Sequence, residues 1–394
     1  MEKAMCPGFK AAGVIAGIKK NGEKDLGLIY SEAPAKVAGV FTKNIVQAAP
    51  VLLNKERIKS GVCQAIIVNS GNANCCTGNR GLTDAKSMAR LAASKLDISE
   101  DLVFVSSTGV IGQPLPIEKI EAAIPELVKS LLPEGVRDCA RAIMTTDTFP
   151  KVFSRKGRLK DKTFTVTGIA KGSGMICPDM ATMLCFVCTD VDVGQTLLKD
   201  ALFTATERSF NRITVDGDTS TNDMVLIMAN GRSEVTLERA EQINTFQEVL
   251  DGVLRNLAKQ VVKDGEGATK LVEIAVKGAL TRKDAYKIAQ TVANSNLVKT
   301  AFFGEDANWG RILGATGRAG VSIDPAKIDV YFDDVLMVKN GMGCGDAAEE
   351  QATKVLKSQE FTISIDLKMG TGYESVFTCD FSLDYVKINA DYRS

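Results

Sequence analysis

Residues 171–190 read KGSGMICPDMATMLCFVCTD, and within this largely apolar run Thr182 follows a small residue, Ala181. A hydroxyl there can act as a nucleophile only if something takes its proton. The choice of base is narrow, because the 394 residues contain no histidine. Ser-His-Asp and Cys-His mechanisms are therefore excluded. What remains is a lysine or carboxylate of shifted pKa, or an α-amino group made by cutting the chain. An α-amine titrates at about 7.7–8.0 in reference peptides, near enough to neutrality to serve as a base with little tuning. On the residue that carries the hydroxyl it is also already in place. Thr182 could thus be activated by its own backbone nitrogen once the Ala181–Thr182 bond is broken. The small Ala181 leaves its carbonyl open to attack, and the glycine-rich turn and Pro178 could hold the peptide under strain. From these residues alone, an ordinary strand opening at Ala181-Thr182 stays an alternative.

Other turns are rich in Gly, Asn and Thr: NSGNANCCTG (69–78), SSTGVIG (106–112), MTTDTFP (144–150) and DGDTSTND (216–223). Each supplies positive φ and local side-chain bonds and can be a plain surface turn. No P-loop or dinucleotide fingerprint is present, and KGSGM has its lysine on the wrong side for the former. Cys185 and Cys188 have metal-like spacing, but neither a histidine nor a second C-x-x-C completes four ligands. On a strand the two would face opposite sides. They read as small core residues, as do Cys75 and Cys76, and no metal is expected.

Lys+Arg and Asp+Glu are both 48, so no basic or acidic footprint points to nucleic acid or to an anionic membrane. The 45% hydrophobic and 24% charged fractions are those of a globular protein of two or three packed lobes. The first twenty residues lack a secretory pattern, and no apolar run spans a membrane. Ten scattered cysteines in apolar surroundings suggest reduced thiols and a cytoplasmic location.

Short Val/Ile-rich runs at 64–71, 101–109, 163–170, 224–231, 271–278, 327–334 and 361–370 read as strands. A helix is expected after Gly81 with Thr83 as N-cap, and another on the stripe Ile117, Ile120, Ile124, interrupted and restarted at Pro125. The longest runs from 240 to glycines near 265, and residues 281–304 read as one more. Strands and helices without strict alternation argue for layered α/β or α+β sandwiches. A composition shift near residue 280 suggests that the last third forms its own small lobe.

KGSGMICPDMATML resembles the signature of the ornithine acetyltransferases, the ArgJ family. NSGNANCCTG, VSSTGVIG, MTTDT, TVDGDTSTNDM, DGEGATK, NWGRILGATGRAG and VKINADYRS are similar to further family blocks, in order, over nearly the whole chain. The resemblance implies self-cleavage between Ala181 and Thr182. The products would be an α chain 1–181 and a β chain 182–394, associated as an α2β2 heterotetramer. In the β chain, 182–280 would complete an αββα-type sandwich core of the DmpA/ArgJ-like kind. Residues 281–394 would form a smaller α+β lobe whose tail returns to the active site. Thr182 would carry acetyl from N2-acetylornithine to L-glutamate by a ping-pong route, with acetyl-CoA as an optional second donor and no bound cofactor. Carried over by position, Thr108 and Gly109 match the oxyanion hole. Thr145, Lys171, Glu266, Asn389 and Ser394 match substrate contacts, a set suited to an amino acid: Lys171 for a carboxylate, Glu266 for an ammonium. Rival readings are an N-terminal-threonine aminopeptidase or amidase, and a binding protein that never cleaves.

Overall fold

A computed structural model describes residues 5–177 and 183–391. Ala181, Thr182 and Ser394 lie outside the described residues. Two compact units emerge, one of residues 5–177, 183–211 and 218–261, the other of residues 212–217 and 262–391.

The first unit is built on one long sheet of β1 (Phe9–Val14), β2 (Leu26–Phe41), β3 (Val62–Asn72), β4 (Val103–Val110), β5 (Lys151–Leu159), β6 (Lys162–Lys171), β7 (Leu184–Thr189) and β9 (Met224–Ala229). The order is β4-β3-β2-β9-β7-β6-β5, with β1 added on β2. β8 (Asp192–Val193) and β10 (Thr236–Leu237) form a separate ribbon. The sixteen-residue β2 is the joint. Its register breaks between Tyr30 and Ala35: Leu26–Tyr30 pairs with β3, and Lys36–Phe41 pairs with β9. One strand therefore serves two leaves, and the leaves face each other.

Side-chain alternation shows which face is which. Ile66, Val68 and Phe104 from β3 and β4 share one apolar cluster with Ile169, Leu184, Phe186, Leu226 and Met228 from the other leaf. Ile67 and Val105, one residue out of phase, pack instead with Met88, Ala89, Ile120 and Ile124. Those belong to α2 (Gly78–Leu96) and α3 (Ile117–Lys129). α1 (Ala49–Arg57) and α4 (Val136–Ala142) also lie in this unit, as do α5 (Gln195–Glu207) and most of α6 (Ala240–Lys263). α6 covers the second leaf: Phe246 meets Phe164 of β6 at 6.0 Å between centroids. Gly168 of β6 lets Leu257 in, since a Cβ there would sit 2.7 Å from its Cδ1. The layering is αββα, as the resemblance implied.

The second unit has a sheet of β11 (Leu271–Ala279), β12 (Asp329–Phe332), β13 (Val335–Lys339), β14 (Met342–Gly343), β15 (Glu360–Asp366) and β16 (Gly372–Cys379), ordered β14-β13-β12-β15-β11-β16. β11 runs parallel to β15 and antiparallel to β16. Val272, Ile274 and Val276 of β11 pack with Ala285, Ile288 and Val292 of α7 (Arg282–Ala293). The same core takes in Phe302 of α8 (Asn296–Phe303), Ile312 of α9 (Trp309–Gly317) and Leu356 of α10 (Asp346–Leu356). α11 (Leu383–Asp391) completes the unit. Its main segment begins at Val262, ahead of the shift near 280, because β11 spends its hydrogen bonds on β15 and β16.

Three local expectations fail for identifiable reasons. α2 starts at Gly78, so Thr83 is an interior residue whose hydroxyl bonds back to the Asn79 carbonyl at 3.2 Å. α3 runs unbroken through Pro125; the carbonyl left without a donor belongs to Glu121, on an exposed turn that water can serve. Residues 281–304 form two helices, not one. Asn294 and Ser295 leave helical geometry, Ser295 takes the N-cap position of α8 without a side-chain bond, and the Asn294 side chain accepts a 2.6 Å bond from the Thr214 hydroxyl. Among the described residues, no helix is long and apolar enough to cross a membrane.

Candidate active site

The first unit gathers its polar residues at one end of β4 and β6. β4 pairs with β3 on one side only, and side chains cover its open edge. Asn54 of α1 takes both backbone groups of Val105, donating to its carbonyl at 2.7 Å and accepting from its N–H at 3.1 Å. Asn222 donates to the Ser107 carbonyl at 2.8 Å and to the Ala73 carbonyl at 2.6 Å. The Ser107 hydroxyl donates to Asn69 at 2.6 Å. These bonds hold the strand end rigidly where Thr108 and Gly109 emerge.

Thr108 is 8% exposed. Gly109 has φ +127°, and a Cβ there would run into the Gly71 backbone, so no other residue fits this close crossing of β3 and β4. Lys171, at the last position of β6, is 9% exposed and donates to the Thr108 hydroxyl oxygen at 3.3 Å. Two residues separated by 63 positions thus meet, a hydroxyl and an ammonium beside a backbone N–H.

Behind Lys171 stands Asp147, with no side-chain exposure. It accepts from Lys151 Nζ at 2.7 Å, from the Gly172 N–H at 2.8 Å and from the Thr145 N–H at 2.9 Å. Burial by itself would raise this carboxyl. The Lys151 and Lys171 charges and the Gly172 N–H reverse that and hold it well below the usual carboxylate range. Thr145 joins the site by its backbone, through Asp147.

Asp223, at the entry to β9, behaves the opposite way. It is 2% exposed, and its Oδ2 has no hydrogen-bond partner among the described residues. Burial pushes its carboxyl well above the ordinary range, and the Ser220 hydroxyl, the Lys171 charge and the Met183 N–H offset this only in part. β7 and β9 run parallel with Leu184 beside Met224, and the Met224 N–H donates to the Met183 carbonyl at 3.1 Å. Asp223 is therefore in register with Met183, one residue along the chain from Thr182.

In the second unit, Glu266 is 8% exposed and accepts from Asn389 Nδ2 of α11 at 2.8 Å. The loop carrying Glu266 is pinned by Asp380, which takes the N–H groups of Thr269 and Lys270 at 2.8 and 2.9 Å. Ser382 donates to the Gly267 carbonyl at 2.6 Å. Two expected residues 123 positions apart are thus a hydrogen-bonded pair.

The cysteines need one correction. Cys75 is buried but Cys76 is exposed, its backbone at φ +57°, with the two sulfurs 3.7 Å apart. Cys185 and Cys188 are both buried, and only Cys188 belongs to the interior of the sandwich. Burial pushes both thiols up. Among the described residues, no group of three or more Cys, Asp or Glu is placed to hold a metal ion.

Sequence reading overlooked Asp147, Asp223, Asn222 and Asn54. The first three lie inside motifs quoted for other reasons, MTTDTFP and DGDTSTND, and nothing local tells a buried aspartate from a turn aspartate. Asn54 sits in a helix with no motif at all.

A model of the ArgJ family matches residues 10–394. An "Arginine biosynthesis bifunctional protein ArgJ" of Syntrophotalea carbinolica is 55% identical over 390 residues, 98% of this chain and 99% of that protein. A protein of the same name from Geobacter sulfurreducens is 54% identical over 389 residues, again 98% and 99%. Among solved structures, the arginine biosynthesis bifunctional protein of Bacillus halodurans is 44% identical with a TM-score of 0.51. It covers 52% of this chain and 98% of its own. The chain belongs to the ArgJ family.

Proposed function

We propose that this protein cuts itself between Ala181 and Thr182 and then moves acetyl from N2-acetylornithine to L-glutamate, through an acetyl ester on Thr182. The freed amine of Thr182 takes the hydroxyl proton, the hydroxyl attacks the acetyl carbonyl, and ornithine leaves as the amine. Glutamate then attacks the ester and departs as N-acetylglutamate. The observation that carries this reading is the meeting of Thr108, Gly109 and Lys171 on a braced strand end. A hydroxyl, a backbone N–H and a fixed positive charge in one place suit the oxyanion of a tetrahedral intermediate. The Thr108 hydroxyl, accepting from Lys171, keeps its own proton to donate. The Glu266–Asn389 pair suits the ammonium of an amino-acid substrate, with Asn389 orienting the carboxylate.

The family supports the reaction class, acetyl transfer in arginine biosynthesis, through relatives at 46–55% identity that carry that pathway in their name. Their description as bifunctional fits a second donor, acetyl-CoA, acylating the same threonine.

Mass spectrometry of the purified protein, before and after brief exposure to acetylornithine, tests the whole scheme. Two fragments ending and beginning at 181/182, with acetyl added to the C-terminal one, are expected. Thr182→Ala should stay whole and transfer nothing. A fully active preparation that is still one chain overturns the proposal.

A further inference from the structure

An amino acid that gives or takes acetyl on its α-nitrogen carries its carboxylate to the reacting end, on the carbon that bears that nitrogen. N2-acetylornithine and glutamate share this arrangement and differ only beyond it. A site that serves both needs a cation close to its oxyanion donors. Lys171, matched to a carboxylate by family position, has its ammonium on the Thr108 hydroxyl and is one of two lysines acting on Asp147.

A second lysine stands at the same crossing of β3 and β4. The loop between β1 and β2 is folded around Asp25, which is fully buried and accepts from the N–H groups of Ala16, Ile18 and Lys19 at 2.6, 2.5 and 2.8 Å. Asp25 is itself docked on β3, its carbonyl accepting from the Ser70 N–H at 2.9 Å. This clamp lays Lys19 over Gly71, the residue paired with Gly109: a Cβ on Gly71 would sit 3.2 Å from Lys19 Cγ. Lys19 Nζ donates to the Lys24 carbonyl at 2.9 Å. Among the described residues that carbonyl is its one hydrogen-bond partner, and no carboxylate lies within ion-pair distance. An ammonium has three hydrogens to give, so two are unspent. Burial lowers this half-buried amine below the ordinary lysine value; the Glu23, Asp25 and Asp147 charges offset that only in part, and Lys171 adds to it. A carboxylate arriving from solution would supply the missing partner.

We propose that Lys19 is the anchor for the substrate α-carboxylate, used by donor and acceptor alike in the two half-reactions. This rests on the acetyl-transfer reading above, with Thr108 and Gly109 as oxyanion donors, and adds the residue that selects α-carboxylated substrates over plain amines. Lys19 makes and breaks no covalent bond; it acts as a fixed point charge with hydrogens to spare.

The test compares N2-acetylornithine with N-acetylputrescine, the same donor without its α-carboxylate, in steady-state transfer to glutamate by the full-length protein. Lys19→Met keeps the stem that lies on Gly71 and removes the charge. It should lose roughly 10–100-fold in kcat/KM on acetylornithine and nothing on N-acetylputrescine, and its KM for glutamate should rise with kcat little changed. Lys19→Arg should restore most of the loss. Lys20→Met, an exposed neighbour, should match wild type. A Lys19→Met protein that keeps both the wild-type preference for acetylornithine and the wild-type KM for glutamate refutes the anchor, while the acetyl-transfer reading stands. A wild-type protein that transfers no acetyl from acetylornithine removes both. Should Lys19→Met fail to fold, Lys19→Gln, which keeps a donor for the Lys24 carbonyl, takes its place with the same two outcomes.

Discussion

The turn entering β5 and the turn entering β9 each bury one aspartate, and both aspartates feel Lys171. Their fates differ. Asp147 has a lysine and two backbone N–H groups within 2.9 Å, and it is ionised. Among the described residues Asp223 Oδ2 has no hydrogen-bond partner, and burial pushes its carboxyl well above the ordinary range. Buried charge is tolerable when partners repay its lost hydration, and a carboxyl without them keeps its proton instead. The same residue type thus gives a fixed strut in one turn and an under-partnered carboxyl in the other, set by the number of donors aimed at it.

The largest effect should come from breaking the strut. Asp147→Ala strands Lys151, whose side chain has no exposure, and leaves the Thr145 and Gly172 N–H groups unpaired. A loss of about 3–5 kcal/mol is expected, read as a lowered denaturant midpoint. Next comes Thr108→Val, which keeps the shape and removes the hydroxyl between Lys171 and the reaction. A fall of roughly 10²–10³ in kcat for acetyl transfer is expected, with little change in melting temperature.

The two aspartates should then pull stability in opposite directions with pH. Asp147 is depressed in the folded state, so its stabilisation is whole above the unfolded value of about 3.9 and is lost as pH falls toward the folded one. Asp223 is raised, so between about 3.9 and its folded value the native state binds the extra proton and stability declines as pH rises. Denaturation curves over pH for D147N should lose the acid limb, and those for D223N the opposing one. Matching curves for the two variants would erase the contrast. The smallest effect belongs to Glu56→Gln. Its ion pair with Lys59 is as short as Lys151–Asp147, 2.7 Å, but the two side chains are 72% and 69% exposed. No measurable change in stability is expected, because water already serves both ends.

Much of this was readable before any coordinates. The strand runs at 64–71, 163–170, 224–231 and 271–278 became β3, β6, β9 and β11, because two-fold alternation and β-branched residues survive in most tertiary settings. Helix limits were less secure. Thr83, Pro125 and the 281–304 segment depart from the local pattern because caps and breaks depend on what the neighbours offer: a hydroxyl bonding back to Asn79, water at Glu121, a Thr214 hydroxyl donating to Asn294. Thr108, Lys171, Glu266 and Asn389 could be named from motifs, but their pairings could not, since 63 and 123 residues separate the partners.

The sequence by itself excluded histidine chemistry, marked one threonine as the place for an alternative, and carried the family's motifs. Those are facts of residue type and order. Which buried aspartate is held below the ordinary carboxylate range and which is pushed above it was decided only by the tertiary structure. Protonation of a buried group depends on how many donors converge on it in space, and the donors to Asp147 and Asp223 come from different strands and turns that only the folded sheet brings together.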